Sequence, residues 1–580
     1  MIDFLISINK ESLPFSLSDL FINKPPIKLS YSNPEIEFLA WGDPICDETF
    51  KVKFVKQPDV SFIINNLYSH YYFILLNKTY NTIYTGNSLF SILPVYYTET
   101  NKDLRISNDP LTLQSEEGSN RYNKRFLLEN ILFNYPLFNQ SCIEGVNLLH
   151  ANHYIQIKNG KASNQQHTNI TKYFSASPTP WRKALNTISD LFIESSEKYF
   201  SEEKYASALT GGFDGRTLAA CGLYKKRRFM TNSFGTEESV DIKIAESLSA
   251  KAGIEFIKID LDGNYLNNHS LNAGIGFING SSGTASFARA HYLYATKILS
   301  EKTNYLVTGN FGSEVFRAAH NTGVVISQNL HGLFNAKNYD SAISLLESSP
   351  EWDWINKPEF EHEWESLKEE LKTLPCFDSD YKWLSKNQQF YITVFEEVFR
   401  KYFGAEMVNQ YKYFANRTPF LDIDFLKGIL GTGLAGVHSN FFTNNPLKRF
   451  KGQILYAHII NKTWPDFGKE MTDKGYKPED LISLFGKLRI AGSFLSKRIK
   501  RKMKSKGDPF AVNAAFSVNK DTWQKLEVNP ALFNANKLRK AIHAPSNRRD
   551  SLFIVLSQAY FYNEKFDTGP RKHQLIRKTL

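Results

Sequence analysis

Residues 205–222 read YASALTGGFDGRTLAACG. A short apolar run reaches Leu209 and breaks at Thr210-Gly211-Gly212-Phe213-Asp214-Gly215-Arg216, after which helix formers resume. The pattern predicts a strand, a glycine turn and a helix. In a parallel α/β sheet, ligands gather outside the carboxyl ends of the strands, where such turns lie. Gly211 and Gly212 carry no Cβ, so backbone N–H groups there can approach an anion closely. A helix starting near Gly215 aims the positive end of its dipole at the same spot. Asp214 would repel a bare phosphate, which points to a bridging Mg2+. The alternative is a tight turn whose glycines satisfy positive φ and whose Asp214 caps the helix.

The surrounding pattern sets the fold class. After residue 204, short apolar segments alternate with helical ones: KYASALT, RRFMTNSFG followed by VDIKIAESLSAKAG, IEFIKIDL and TNYLVTGNFG. That alternation predicts a parallel α/β sheet. Residues 1–175 read as β-rich instead, with a hairpin at YYFILLNKTYNTIYTGN and a strand closed by Asn159-Gly160. A Ser/Pro-rich joint, SASPTPWRKA, marks the expected boundary between domains 1–175 and 176–580. Residues 360–580 read as mostly helical.

A chain of 580 residues is too long for one core, in agreement with two domains. The net charge of +11 is mild for this length and does not point to nucleic acid. The four cysteines are far apart and form no zinc-ligand or disulfide framework. No apolar run approaches the roughly 20 residues a membrane span needs, and the N-terminus lacks signal-peptide features, so a cytoplasmic protein is expected.

LTGGFDGRT at 209–217 resembles the pyrophosphate loop of the asparagine-synthase-like family, within the ATP pyrophosphatases. Four further stretches resemble that family in order. They are FMTNSFGTEESVDIKIAESLSAKAG with Asp241 and Ala245, YLVTGNFGSEVF, NRTPFLDIDF with Arg417, Pro419, Phe420, Leu421 and Asp422, and the segment NPLKRFKG to TDKGYKP. The first 175 residues resemble the family's glutaminase-like, Ntn-type domain, through the hairpin that ends in Pro94-Val95-Tyr96-Tyr97. The resemblance implies an Ntn-type β-rich sandwich followed by an ATP-pyrophosphatase domain with added helices. It implies ATP and Mg2+ as cofactors, adenylation of a small-molecule or peptide carboxylate, release of pyrophosphate, and amide formation with an amine. Nucleotide contacts would come from Leu209, Thr210, Gly211, Gly212, Asp214, Gly215, Ser233, Phe234, Gly235 and Gly309, with Asp214 the metal ligand. Lys474, Glu314 and Arg216 are the expected catalytic groups. Arg216 would either fork onto phosphate oxygens or pair with a carboxylate on the helix. Lys474 would neutralise the adenylate or the tetrahedral intermediate.

Two departures bear on the reaction. Amidotransferase members of this family use an N-terminal cysteine, whereas this chain begins Met1-Ile2-Asp3 and its first cysteine is Cys46. The amine is therefore not expected from an internal glutaminase. Asn310 and Ser313 stand where the family usually has acidic residues. The expected substrates are then not aspartate and ammonia, and the ring-closing members, such as lasso-peptide macrocyclases and β-lactam synthetases, are the nearer resemblance. Modification of a cell-surface precursor, asparagine synthesis, and a decayed nucleotide-binding scaffold are the alternatives. Substrate pockets are expected from loops at about 270–300 and 380–415. Finally, Lys487–Lys506 holds nine Lys/Arg and no acid. It reads as a solvated helix, or as a face for a precursor peptide, an acidic carrier or a membrane surface.

Overall fold

The computed structural model describes residues 3–567 except 13, 15, 115–120, 318, 444–445, 484, 487, 491, 493–506 and 544–548. Most of the basic run at 487–506 therefore lies outside the described residues. The chain is α/β, with two antiparallel sheets, one parallel sheet and many helices.

The first eleven strands are β1 Leu5–Asn9, β2 Phe21–Asn23, β3 Ile27–Ser32, β4 Ile36–Gly42, β5 Tyr71–Asn77, β6 Thr82–Asn87, β7 Tyr96–Glu99, β8 Asp103–Ser107, β9 Asn147–Leu148, β10 His153–Lys158 and β11 Lys161–Gln166. They form two antiparallel sheets, ordered β2-β1-β8-β7-β9 and β11-β10-β6-β5-β4-β3. The expected hairpin is β5–β6, in register from Tyr72 opposite Asn87 to Asn77 opposite Thr82. Asn159 and Gly160 both have positive φ, 50° and 76°, which is the backbone of a tight turn between β10 and β11.

The strands β4 and β5 are buried on both faces, and their alternation explains why. Leu39, Trp41, Tyr72 and Ile74 pack against Phe4, Ile6, Leu104 and Ile106 of the other sheet. Phe38, Ala40, Phe73 and Leu75 face the opposite way, onto helices α1 (Phe50–Lys56) and α2 (Val60–Asn66). A third helix, α3 (Lys124–Phe133), packs on helices of the second half.

Helix α4 (Trp181–Glu197) opens the second half. The sequence then alternates as expected: β12 Tyr205–Ala208, α5 Asp214–Tyr224, β13 Phe229–Gly235, α6 Val240–Ala252 and β14 Phe256–Asp260. The strands β15 (Tyr305–Val307) and β16 (Ala415–Arg417) complete a five-stranded, all-parallel sheet ordered β14-β13-β12-β15-β16. Strand order reverses between β12 and β15, so the crevice beyond their carboxyl ends is the topological switch point.

The aromatic-rich stretch QFYITVFEEVFRKYFG belongs to the part of the sequence that reads as mostly helical. The structure winds Val394–Phe403 as a π-helix between the helices Lys386–Thr393 and Gly404–Gln410. Arg400 and Lys401 in this segment donate to carbonyls of the first half of the chain, Leu149 O at 2.7 Å and Pro136 O at 2.9 Å.

Candidate functional site

Two loops meet at the switch point, one after β12 and one after β15. Their contact is closest at Asp214, in the first turn of α5. A Cβ on Gly309 would lie 2.6 Å from Asp214 Cβ, and one on Gly312 would lie 2.8 Å from its Oδ1. Behind them, a Cβ on Gly215 would meet Ala208 O at 2.2 Å. Glycine at Gly215 and Gly309 is thus a packing requirement that lets the loops touch.

Neither Gly211 nor Gly212 has positive φ. The turn does not need them for left-handed backbone. Gly211 is glycine because of proximity: a Cβ there would come within 2.9 Å of Asp241 Oδ1 and of Ile244 on α6. The Gly211 N–H donates to Asp241 Oδ1 at 2.9 Å, and the Gly212 N–H to Thr210 Oγ1 at 3.2 Å. An anion at the turn is therefore left with the first-turn amides of α5, which have no partner within the helix.

Asp214 is not the helix cap. Phe213 is the N-cap, and no side chain bonds to the cap amides. The Asp214 carboxylate accepts instead from Ser313 Oγ at 3.0 Å and from the Tyr456 hydroxyl, on the helix Pro446–Thr463. A carboxylate has about four lone-pair positions, so two remain for a metal ion. Glu314 follows Ser313, and burial together with the Asp214 charge raises its carboxyl to about 7. Burial also raises Asp241, with Asp473 nearby adding to the effect.

Arg216 takes neither of the two expected roles. It is fully buried, and its guanidinium donates to Phe467 O at 3.1 Å, Glu470 O at 2.8 Å and Met471 O at 2.9 Å. It thereby fixes the segment that leads into Asp473 and Lys474, so Arg216 is a positioning residue here. The Asp473 N–H donates to Gly211 O at 3.1 Å, tying that segment to the glycine turn. Lys474 Nζ lies 3.8 Å from Asp473 Oδ1 and 5.1 Å from the Phe213 ring centroid. The structure thus brings Lys474 to the turn, as it does Glu314.

The other expected contacts border the same edge. Leu209 is buried under the turn, while Thr210 is exposed. Ser233, Phe234 and Gly235 end β13. Ser233 is buried with no hydrogen-bond partner on its hydroxyl, and Phe234 packs against His291, Tyr292 and Phe510. Pro509 O accepts from Thr236 N at 3.0 Å, so residues 508–510 lie over this strand end. Asn310 donates to Glu406 at 3.4 Å, and Glu406 pairs with Arg289 at 2.9 Å. Both segments expected as pocket-shaping loops are largely helical instead: Arg289 ends the 3-10 turn Phe287–Arg289 and Glu406 lies in the helix Gly404–Gln410.

Sequence reasoning missed Tyr456 and Arg317, both beside Asp214, and it read Asp241 only as the start of a pattern. Nothing in the local sequence marks Tyr456. Among the described residues, no group of three or more His, Cys, Asp or Glu side chains is arranged to hold a metal ion, and no helix is long and apolar enough to cross a membrane.

No family model matches the chain, and no curated protein matches it. Among solved structures, one match is the glutamine phosphoribosylpyrophosphate amidotransferase from B. subtilis complexed with ADP and GMP. It shares 8% identity, and the match covers 55% of this chain and 76% of that one with a TM-score of 0.17, too low to carry an argument.

Proposed function

We propose that this protein is an ATP-dependent, adenylate-forming amide ligase of the asparagine-synthase-like kind, built from an Ntn-type sandwich and an ATP-pyrophosphatase domain. The observation that carries the reading is the meeting of the β12 and β15 loops across Asp214 at the switch point of a parallel sheet. That is where such sheets bind ligands.

Asp214 would hold Mg2+, which takes one or two carboxylates plus substrate phosphates and neutralises charge on the leaving pyrophosphate. The first turn of α5 would donate to the phosphates, with Lys474 beside it. The end of β13, Ser233 to Gly235, would border the nucleoside. Attack of the substrate carboxylate on the α-phosphate forms the acyl-adenylate and breaks the α–β bridge. An amine then displaces AMP to give the amide.

The amine would come from outside the chain. Burial pushes the thiols of Cys46, Cys142, Cys221 and Cys376 up, the last two to about 12. None is a ready thiolate for releasing ammonia from glutamine. A nucleotide-binding scaffold is the second reading, favoured by the serine hydroxyl of Ser313 at Asp214.

Exchange of labelled pyrophosphate into ATP, screened over carboxylates that include peptides, tests the ligase. Exchange that depends on one class of acid supports it. Nucleotide binding without exchange for any acid favours the scaffold.

A further inference from the structure

Arg317 ends the short helix Gly312–Phe316 and lies half-buried beside the Asp214 loop. Its guanidinium donates to Ser313 Oγ, whose hydroxyl in turn donates to Asp214 Oδ2 at 3.0 Å. Its Nε is buried and has no partner. Among the described residues, no carboxylate lies within ion-pair distance of it. Arg125, Arg289, Arg400 and Arg417 each meet a carboxylate at 2.6–2.9 Å, and Arg216 spends its terminal donors on three backbone carbonyls, whereas Arg317 bonds one hydroxyl.

Burial opposes the charge of this guanidinium, and the charges of Asp214 and Glu314, beyond ion-pair distance, favour it. The fold nevertheless holds it there. Tyr391 donates to Arg317 O, and the helix Pro446–Thr463 presses so close at Gly452 that a Cβ would meet Phe316 O at 2.1 Å and Arg317 Cγ at 2.9 Å. A fixed fork of donors with one bond made and Nε free is suited to an oxyanion.

We propose that Arg317 contacts the pyrophosphate portion of the nucleotide, from the Gly309–Gly312 side of the site, while Lys474 faces it from the Gly211 side. This rests on the nucleotide reading above. Arg317 supplies positive charge next to Asp214, so the site holds a di- or triphosphate chain even without a metal ion. Ser313 is the hinge of the arrangement: its hydroxyl orients the guanidinium without neutralising it, as a carboxylate there would.

The test is calorimetric titration of the full chain with inorganic pyrophosphate and with ATP, each in EDTA and in excess Mg2+. The wild type should bind both ligands without metal. Arg317→Met should weaken metal-free binding by about tenfold to a hundredfold, the value of a charge-assisted contact, and Arg317→Lys should recover part of the loss. Ser313→Asp should weaken metal-free binding similarly, by pairing with Arg317, and Mg2+ should restore it. A merely structural Arg317 would not produce this metal dependence. Unchanged metal-free affinity in folded Arg317→Met overturns the inference. So does a wild type that binds Mg-ATP but no metal-free ligand, which leaves the nucleotide reading standing. A folded wild type that binds nothing in either buffer overturns both. If Arg317→Met does not fold, Arg317→Lys and Ser313→Asp decide, and metal-free affinities equal to wild type in both overturn the inference.

Discussion

Glu314 follows Ser313 in the first turn after the β15 loop, and two causes act on its carboxyl in the same direction. Burial raises it and the Asp214 charge raises it further, from 4.5 to about 7. In that window the folded chain keeps a proton that the unfolded chain has released, so this group's contribution to stability is lost as pH rises from 4.5 to about 7. Glu314→Gln removes that slope. Urea unfolding at about pH 5 and about pH 7 should show the wild type losing more stability than the variant on the step upward. Equal losses would contradict the assignment. Gly309 lies against Asp214 from the β15 side. Its missing Cβ is 2.6 Å from Asp214 Cβ, so Gly309→Ala displaces Asp214 and should weaken Mg-ATP binding about tenfold or more, read by calorimetry. Binding at wild-type strength would mean that the loops do not need their close approach.

At the scale of elements, the strands and helices around the turn follow from sequence period, and the expected residues of β12, α5, β13 and α6 fall where the pattern puts them. What the pattern does not carry is the partner of each polar side chain. Arg216 sits in a loop that reads as phosphate-binding, yet its donors go to carbonyls about 250 residues away. Arg417 and Asp422 belong to a stretch that reads as a signature, and both serve the fold. Arg417 forks onto Asp43, in the first half of the chain, at 2.8 and 2.9 Å. Asp422 caps the helix Ile423–Ile429 and receives Lys198 at 3.2 Å. The π-helix at Val394–Phe403 has no mark in the sequence either, because the extra residue per turn answers to what packs on it, such as Phe90 against Phe395 at 5.4 Å. Asp43→Asn breaks a pair that is nearly buried on both sides and leaves the guanidinium uncompensated. The expected cost is about 3–5 kcal/mol of unfolding free energy. A change below about 1 kcal/mol in urea unfolding would show the pair to be solvated and dispensable.

At the scale of the molecule, the two halves are joined by buried polar contacts rather than by a linker alone. Arg417 meets Asp43, Thr418 meets His70 at 2.8 Å, and Arg400 and Lys401 reach carbonyls of residues 136–149. Calorimetric unfolding is therefore expected as one transition, with calorimetric and van't Hoff enthalpies in agreement. Two resolved peaks would mean that the halves unfold independently. Within the second half, the loops that carry Asp214 and Ser313 follow β12 and β15 at the switch point of the parallel sheet. What that point holds decides the function, and the direct measurement is titration of Mg-ATP into the folded wild type and into Asp214→Ala. A nucleotide site at Asp214 predicts a clear binding heat in the wild type and affinity reduced about a hundredfold or more in the variant. Equal binding by the two proteins, or none by the wild type, would contradict it.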